Sequence, residues 1–325
     1  MNIADKLNLA SAFINARFFG ARRPAIVNWA LTYRCNRSCR YCGVSDNKTV
    51  ELSTREAISA IDGMCDCGTR KIHFTGGEPL VREDFLQLLG YCRKKGISIS
   101  VNSNGALVRQ GIKSLRGIDG LSLSLDGPQE IHDAVRGEGS YYEVMDAVKY
   151  AKENNIKVRF TTVLSKLNLS SIGFVLRKAE ELDTAVIFQP AQKFLLETKK
   201  INPIAASIVE YRNVIAKLIE KKRNNRFIGN SLSGLHHLYH WPSLIRISCV
   251  NALVICRIEP SGEIYGCADF KGRPSGIKIQ EAGFRKAFYS LVPLTCNECW
   301  CASYTELNCL FSGKPDSILN LKKLI

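Results

Sequence analysis

This sequence predicts an α/β protein: a partial (β/α)6 barrel, a sheet that curls like part of a (β/α)8 barrel, followed by a small cysteine-rich C-terminal domain. Three observations predict it. Strand-like and helix-like runs alternate from residue 25 to about 190, and strands alternating with helices imply parallel βαβ units. The alternation stops after Pro190. Seven of the thirteen cysteines cluster at 35–42 and 296–309, the first group directly after the first strand.

The elements follow in order. Residues 5–19 place Leu7, Ala10, Ile14 and Phe18 at helical spacing with Phe13 beside them, and Gly20 and Pro24 end the pattern. Residues 1–24 are thus an amphipathic helix. It packs on the domain or, because Arg17, Arg22 and Arg23 flank its aromatic residues, contacts a membrane surface. AIVNWAL (25–31) reads as a buried strand with a helix near 53–64. KIHFT (71–75) precedes a helix near 83–95, and ISISV (97–101) a short helix near 108–115. LSLSL (121–125) precedes a helix near 141–154, KVRFTTV (157–163) a helix near 170–182, and AVIFQ (185–189) is a sixth strand. The core barrel therefore covers 25–195. Residues 196–245 form a helical linker, with a helix near 204–224 and three histidines, His236, His237 and His240. Residues 246–325 are the cysteine-rich tail.

Composition narrows the function classes. The 325 residues are 46% hydrophobic and 23% charged, ordinary for a globular protein. No run reaches the roughly 18 apolar residues of a membrane span. Asp5 and Lys6 interrupt the start, so no secretory signal is read. An odd cysteine count at close spacings suits metal–thiolate chemistry in a reducing cytoplasm better than a disulfide framework. Lys plus Arg is 45 against 30 for Asp plus Glu, a formal +15. These charges are dispersed, which argues against a nucleic-acid-binding arm. An acidic partner or an anionic substrate remains open.

The first cysteine group reads Cys35-x3-Cys39-x2-Cys42. Three thiolates fill three irons of a [4Fe–4S] cube and leave the fourth iron without a protein ligand. The loop lies at the C-terminal end of a strand, where barrel enzymes place their chemistry. Zinc is the alternative; it favours paired C-x2-C knuckles and four ligands, and a fourth local ligand is missing.

Four motifs then fall together. Tyr41 is the aromatic residue of C-x3-C-x-aromatic-C. The second strand ends in Gly76-Gly77-Glu78-Pro79, the fourth runs into Ser124-Leu125-Asp126-Gly127, and Arg136 follows in HDAVRG. On these residues the chain resembles the radical S-adenosylmethionine (radical SAM) superfamily, in its SPASM-type branch. The resemblance implies that Cys35, Cys39 and Cys42 hold a SAM-binding [4Fe–4S] cluster. It further implies that SAM is cleaved by one electron to a 5′-deoxyadenosyl radical, which takes a hydrogen atom from substrate. Gly76 and Gly77 would grip the methionine ammonium, Ser124 a ribose hydroxyl, and Arg136 the methionine carboxylate. Asn104 is a second ribose candidate or an Asn-Gly turn residue. Glu78 orients the loop. Flavodoxin or ferredoxin is the electron donor that the resemblance implies.

In the tail, Glu259–Gly266 reads as a β-hairpin ending in Cys267, and Cys296-Asn297-Glu298-Cys299 is a C-x2-C knuckle. Hairpin plus knuckle resembles the twitch and SPASM extensions. It implies one auxiliary [4Fe–4S] cluster on Cys249, Cys267, Cys296 and Cys299. Cys299-Trp300-Cys301 departs from the full SPASM pattern; Cys256, Cys301 and Cys309 are candidates for a second site, and structural zinc is an alternative. Cys65, Cys67 and Cys92 read as buried small hydrophobes. The three histidines suggest the cavity lining more than a metal. Oxidation or rearrangement of a small, anionic or lipid-associated molecule ranks first. Peptide modification ranks second, because about 24 residues before the first strand are too few for a leader-recognition domain. A non-catalytic Fe–S or zinc protein is the reading from another class.

Overall fold

The computed structural model describes residues 3–195, 200–243, 245–267, 277–293 and 299–324. Six strands lie side by side in sequence order, each pair parallel: β1 (Ile26–Thr32), β2 (Lys71–Gly76), β3 (Ser98–Ser103), β4 (Gly120–Ser124), β5 (Val158–Leu164) and β6 (Ala185–Pro190). A helix follows each of the first three strands: α2 (Thr54–Asp66), α3 (Phe85–Lys94) and α4 (Val108–Leu115). Two follow β4, α5 (Gln129–Arg136) and α6 (Ser140–Glu153), and α7 (Ile172–Glu181) follows β5. The start of α2 shows how locally this is set. Ser53 and Glu56 form a reciprocal capping box, as Ser-x-x-Glu before an apolar-periodic run should. Helix α5 was not anticipated. Its eight residues carry one narrow apolar face, and Gly127-Pro128 before it reads as a loop.

The sheet has two unlike faces. Val27, Trp29, Leu31, Ile72, Phe74, Val101, Leu121, Leu123 and Phe160 are fully buried against the helices. Most of the alternate positions are polar, among them Asn28, His73, Ser100, Asn102, Ser122, Ser124, Arg159, Thr161 and Gln189. Side chains alternate across a strand, so this second set lines the inside of the curled sheet.

Both edges of the six-strand sheet are occupied. At β6, Asn230 accepts from the Phe188 amide (2.8 Å) and donates to the Phe188 carbonyl (3.0 Å), imitating a strand. At β1, the tail contributes β7 (Ile255–Ile258), which pairs in parallel with Ile26 to Trp29. Then come β8 (Glu263–Tyr265) and β9 (Ile277–Lys278), both antiparallel to their neighbours. The predicted hairpin thus forms and turns at Ser261-Gly262. It extends the barrel sheet instead of building a separate one, because an open β1 edge would leave a row of buried backbone groups unpaired.

The remaining helices are α8 (Ile208–Lys222), α9 (Leu232–Tyr239), α10 (Ile279–Ser290), α11 (Ala302–Phe311) and α12 (Pro315–Leu324). Helix α1 (Ile3–Phe19) forms where expected, but a different stripe packs. Leu9, Ala12 and Ala16 are buried, whereas Leu7, Ile14 and Phe18 of the predicted stripe are exposed. No helix among the described residues is long and apolar enough to cross a membrane.

Candidate active site

The chain leaves β1 at Thr32 and enters the cysteine loop, where the Cys42 amide donates to the Cys39 carbonyl (3.0 Å). The end of β2 closes on this loop. The Gly77 amide donates to the Thr32 carbonyl (2.7 Å) and the Glu78 amide to the Arg34 carbonyl (3.0 Å). Gly76 has a φ of 126°, a region that L side chains avoid. At Gly77 a Cβ would run into the carbonyl oxygens of Tyr33 and Arg34. The glycines are therefore required by the approach of one backbone to another.

Glu78 is fully buried. Its carboxylate accepts from the amides of Leu80 (3.2 Å) and Asn104 (2.7 Å) and from the Ser103 hydroxyl (3.0 Å). Burial pushes its pKa up to about 7 against these hydrogen bonds. It ties the ends of β2 and β3 together. Asn104 carries that tie onward: its Nδ2 donates to Asn36 (2.8 Å) and lies 3.7 Å from the Cys35 sulfur, while its Oδ1 caps the Ala106 amide (3.0 Å).

Arg136 closes the far side. Its Nε pairs with Asp126 at 2.6 Å, both side chains being buried, and Asp126 also accepts from the Val163 amide (3.0 Å). A second guanidinium nitrogen lies 3.8 Å from the Cys39 sulfur, and the guanidinium stacks 5.3 Å from the centre of the Tyr41 ring. Burial opposes the charge on Arg136, yet Asp126 holds it more firmly protonated than usual. Burial likewise raises Cys35, and raises Cys42 to about 11. Their surroundings alone do not make those two sulfurs thiolates; a bound cationic centre would.

Cys35, Cys39, Tyr41, Cys42, Gly76, Gly77, Asn104, Ser124 and Arg136 line one cavity of about 220 Å³; Glu78 does not reach it. The wall also includes Arg37, Thr75, Asn102, Ser122, Thr161 and Gln189, which motif reading missed. The signal was in the sequence, in the alternating polar positions of the central strands. Among the described residues no three His, Cys, Asp or Glu side chains close to the distances of a single ion. A [4Fe–4S] cube is larger than an ion, and three thiols spaced around this cavity, two of them facing N–H donors, fit it.

The tail cysteines are partly visible, because Cys296 lies outside the described residues. Cys299 accepts from Thr305 (3.5 Å) and Asn308 (3.4 Å), and Asn308 also accepts from the Val250 amide (3.0 Å), which brings the Cys249 and Cys299 segments together. Burial, and then Cys267, raise the Tyr304 pKa, with Cys301 adding to the shift. His237 meets the Cys299 carbonyl at 2.9 Å, while His236 is exposed on the other side of α9. Cys256 is fully buried on the helix-facing side of β7, and Cys309 is buried within α11. Cys92 and Cys67 are buried as expected and Cys65 packs beside them.

Residues 29–179 match the radical SAM superfamily. The chain is 33% identical over 173 residues to the Fe-coproporphyrin III synthase of Methanosarcina barkeri, covering 51% of this chain and 43% of that one. It is 27% identical over 259 residues to the mycofactocin maturase MftC of Mycobacterium ulcerans, covering 76% and 69%. It thus spans less than half the length of the synthase. The crystal structure of Streptococcus suis SuiB superposes with a TM-score of 0.68 at 16% identity, over 87% of this chain and 70% of that one. SuiB has also been solved with S-adenosylmethionine and with the precursor peptide SuiA. At that identity the likeness speaks for the fold.

Proposed function

We propose, from the premise that this chain is a member of the radical SAM superfamily, that it is an enzyme using SAM to abstract hydrogen from a small anionic substrate. The observation that carries the reading is the convergence of Cys35, Cys39 and Cys42 with Gly76, Gly77, Ser124 and Arg136 on one cavity at the C-terminal ends of the strands. When bound there, a [4Fe–4S] cluster supplies reductive cleavage of SAM to a 5′-deoxyadenosyl radical. The chain's own groups do the rest. Arg136, held by Asp126, presents a fixed cation to a carboxylate. Asn104 and Ser124 offer hydrogen bonds to hydroxyls, and the polar inner wall continues downward to receive a substrate.

The choice of an anionic substrate rests on that wall. Arg159, the register neighbour of the cavity-lining Ser122, and Lys71 both face the inside of the sheet. Burial, and then Arg159, lower the Lys71 pKa to about 8, and an anion would relieve both costs. Cys249, Cys267, Cys296 and Cys299 are the proposed auxiliary-cluster ligands, and a flavodoxin or ferredoxin the proposed donor. Cys35, Cys39 and Cys42 are free thiols, which suits a reducing compartment. A peptide substrate is the second reading, favoured by the match to the maturase over 76% of this chain.

Reduced, anaerobically reconstituted protein should convert SAM to 5′-deoxyadenosine and hold about eight irons, four per cube. Replacing Cys35, Cys39 and Cys42 together by Ala should remove half the iron and all SAM cleavage; continued cleavage would overturn the assignment. Cell extract separated by size and charge then distinguishes the substrates. Extra 5′-deoxyadenosine from a small anion-exchange fraction supports the first reading, and from a peptide fraction the second.

A further inference from the structure

Helix α1 has two apolar stripes and spends one of them on the body. Leu9, Ala12 and Ala16, with Phe13, pack on Ala25, Ile26, Val250, Val254, Tyr304 and Phe311. The other stripe is Ile3, Leu7, Ala10, Ile14 and Phe18, whose helical positions fall within a wedge of roughly 80°. Ile3 is 77% exposed, Leu7 66%, Ile14 53% and Phe18 73%, and Phe19 just beyond is 78% exposed. Five of the seventeen exposed large hydrophobic side chains among the described residues thus sit on this one helix. That is a patch, not scatter. The helix is pinned so that it cannot turn the stripe inward. Arg23 donates to the Asn8 carbonyl, and Arg22 donates to the carbonyls of Ala252 (2.9 Å), Phe288 (3.0 Å) and Leu291 (2.8 Å).

Charge selects the occupant. On the same projection Lys6 and Arg17 border the stripe, and neither side chain has a partner among the described residues. Asp5, the single acid of α1, falls on the body-facing half. An apolar stripe bordered by cations suits the headgroup region of an anionic bilayer. A second copy suits it poorly, because pairing two such stripes sets Lys6 and Arg17 against the same cations with no acid between them.

We propose that this outer face of α1 docks the protein on an anionic membrane surface. The inference goes beyond the proposed reaction and does not depend on it. Helix α1 lies across the N-terminal ends of β1 and β7, at Ile26 and Ile255, whereas the cysteine cavity opens at the C-terminal ends. A docked molecule therefore keeps its cavity accessible to a donor in solution.

Vesicle flotation of the full chain tests this, using phosphatidylcholine with or without phosphatidylglycerol. Deleting α1 would also strip Leu9, Ala12 and Ala16 from the packed cluster, so exposed positions are substituted instead. The wild-type chain should float with the anionic vesicles and not with the neutral ones. Leu7→Asn with Phe18→Asn should weaken binding by about ten- to a hundredfold, as two apolar side chains leave the interface. Lys6→Gln with Arg17→Gln should weaken it by about tenfold, and both variants should keep wild-type SAM cleavage. Absence of wild-type flotation, equal flotation on neutral vesicles, or undiminished binding by the Leu7→Asn, Phe18→Asn variant would overturn the proposal. So would a wild-type dimer that this variant dissociates, which would assign the face to a second copy.

Discussion

Arg136 and Asp126 are a buried pair whose members lie ten positions apart, one in the loop after β4 and one at the end of α5. The motif pointed to Arg136 as the carboxylate binder, and the arginine does line the cavity. What the motif could not supply was its partner: Asp126 fixes one side of the guanidinium and leaves the other toward the Cys39 sulfur. Removing one member of a buried ion pair strands the other charge, at a cost of about 3–5 kcal/mol. Asp126→Ala should therefore lower the unfolding free energy by about that amount, read from urea denaturation. A loss below about 1 kcal/mol, the size expected of an exposed pair, would show that the two are not coupled as described. Gly77 teaches the same lesson. Its need for a missing Cβ was legible, but the object approached was not: it is the cysteine loop's own backbone.

At the scale of elements, α9 and α11 are joined by a buried acid. Glu306 of α11 accepts from the Ser231 amide (2.8 Å) at the start of α9. Burial raises its pKa from an ordinary value near 4.5 to about 7, against the hydrogen bonds from Ser231. Between those values the folded chain keeps the proton and the unfolded chain loses it. The folded state thus binds more protons, and stability must fall as pH rises through that window, then level off above about 7. Glu78 has the same shift and adds to the slope. Glu306→Gln, which cannot ionise, should make the urea midpoint fall less between about pH 5 and pH 7.5 than it does in the wild type. An unchanged slope would mean that Glu306 is ionised in the folded protein. Nothing in the sequence marked this acid, because burial by a neighbouring helix is not a local property. Helix α1 was legible as a helix for the opposite reason, since its apolar spacing is local. Which stripe faced inward depended on where Val250 and Phe311 came to lie.

Across the whole molecule the excess of basic residues gives a charge of +15. If a small acidic flavodoxin or ferredoxin supplies the electron, that charge should speed the encounter and salt should screen it. Turnover with a flavodoxin donor should fall as ionic strength rises from about 0.02 to 0.5 M, while turnover with a small chemical reductant should fall much less. Equal salt sensitivity with both would assign the basic surface to something other than the donor.

The strand–helix rhythm, the three thiols of the cysteine loop and the glycine pair were determined by the sequence alone. Each is a pattern repeated or spaced within a few residues, and short-range sterics and ligand geometry leave such patterns few alternatives. Tertiary structure decided that β7 completes the edge of β1 and that Asp126 holds Arg136. It also decided that alternating serines, Asn102 and Thr161 converge as the wall of one cavity. Those outcomes join residues from a few to more than two hundred positions apart. They follow from the curl of the sheet and from the need to pair every buried polar group, neither of which is written at any single position.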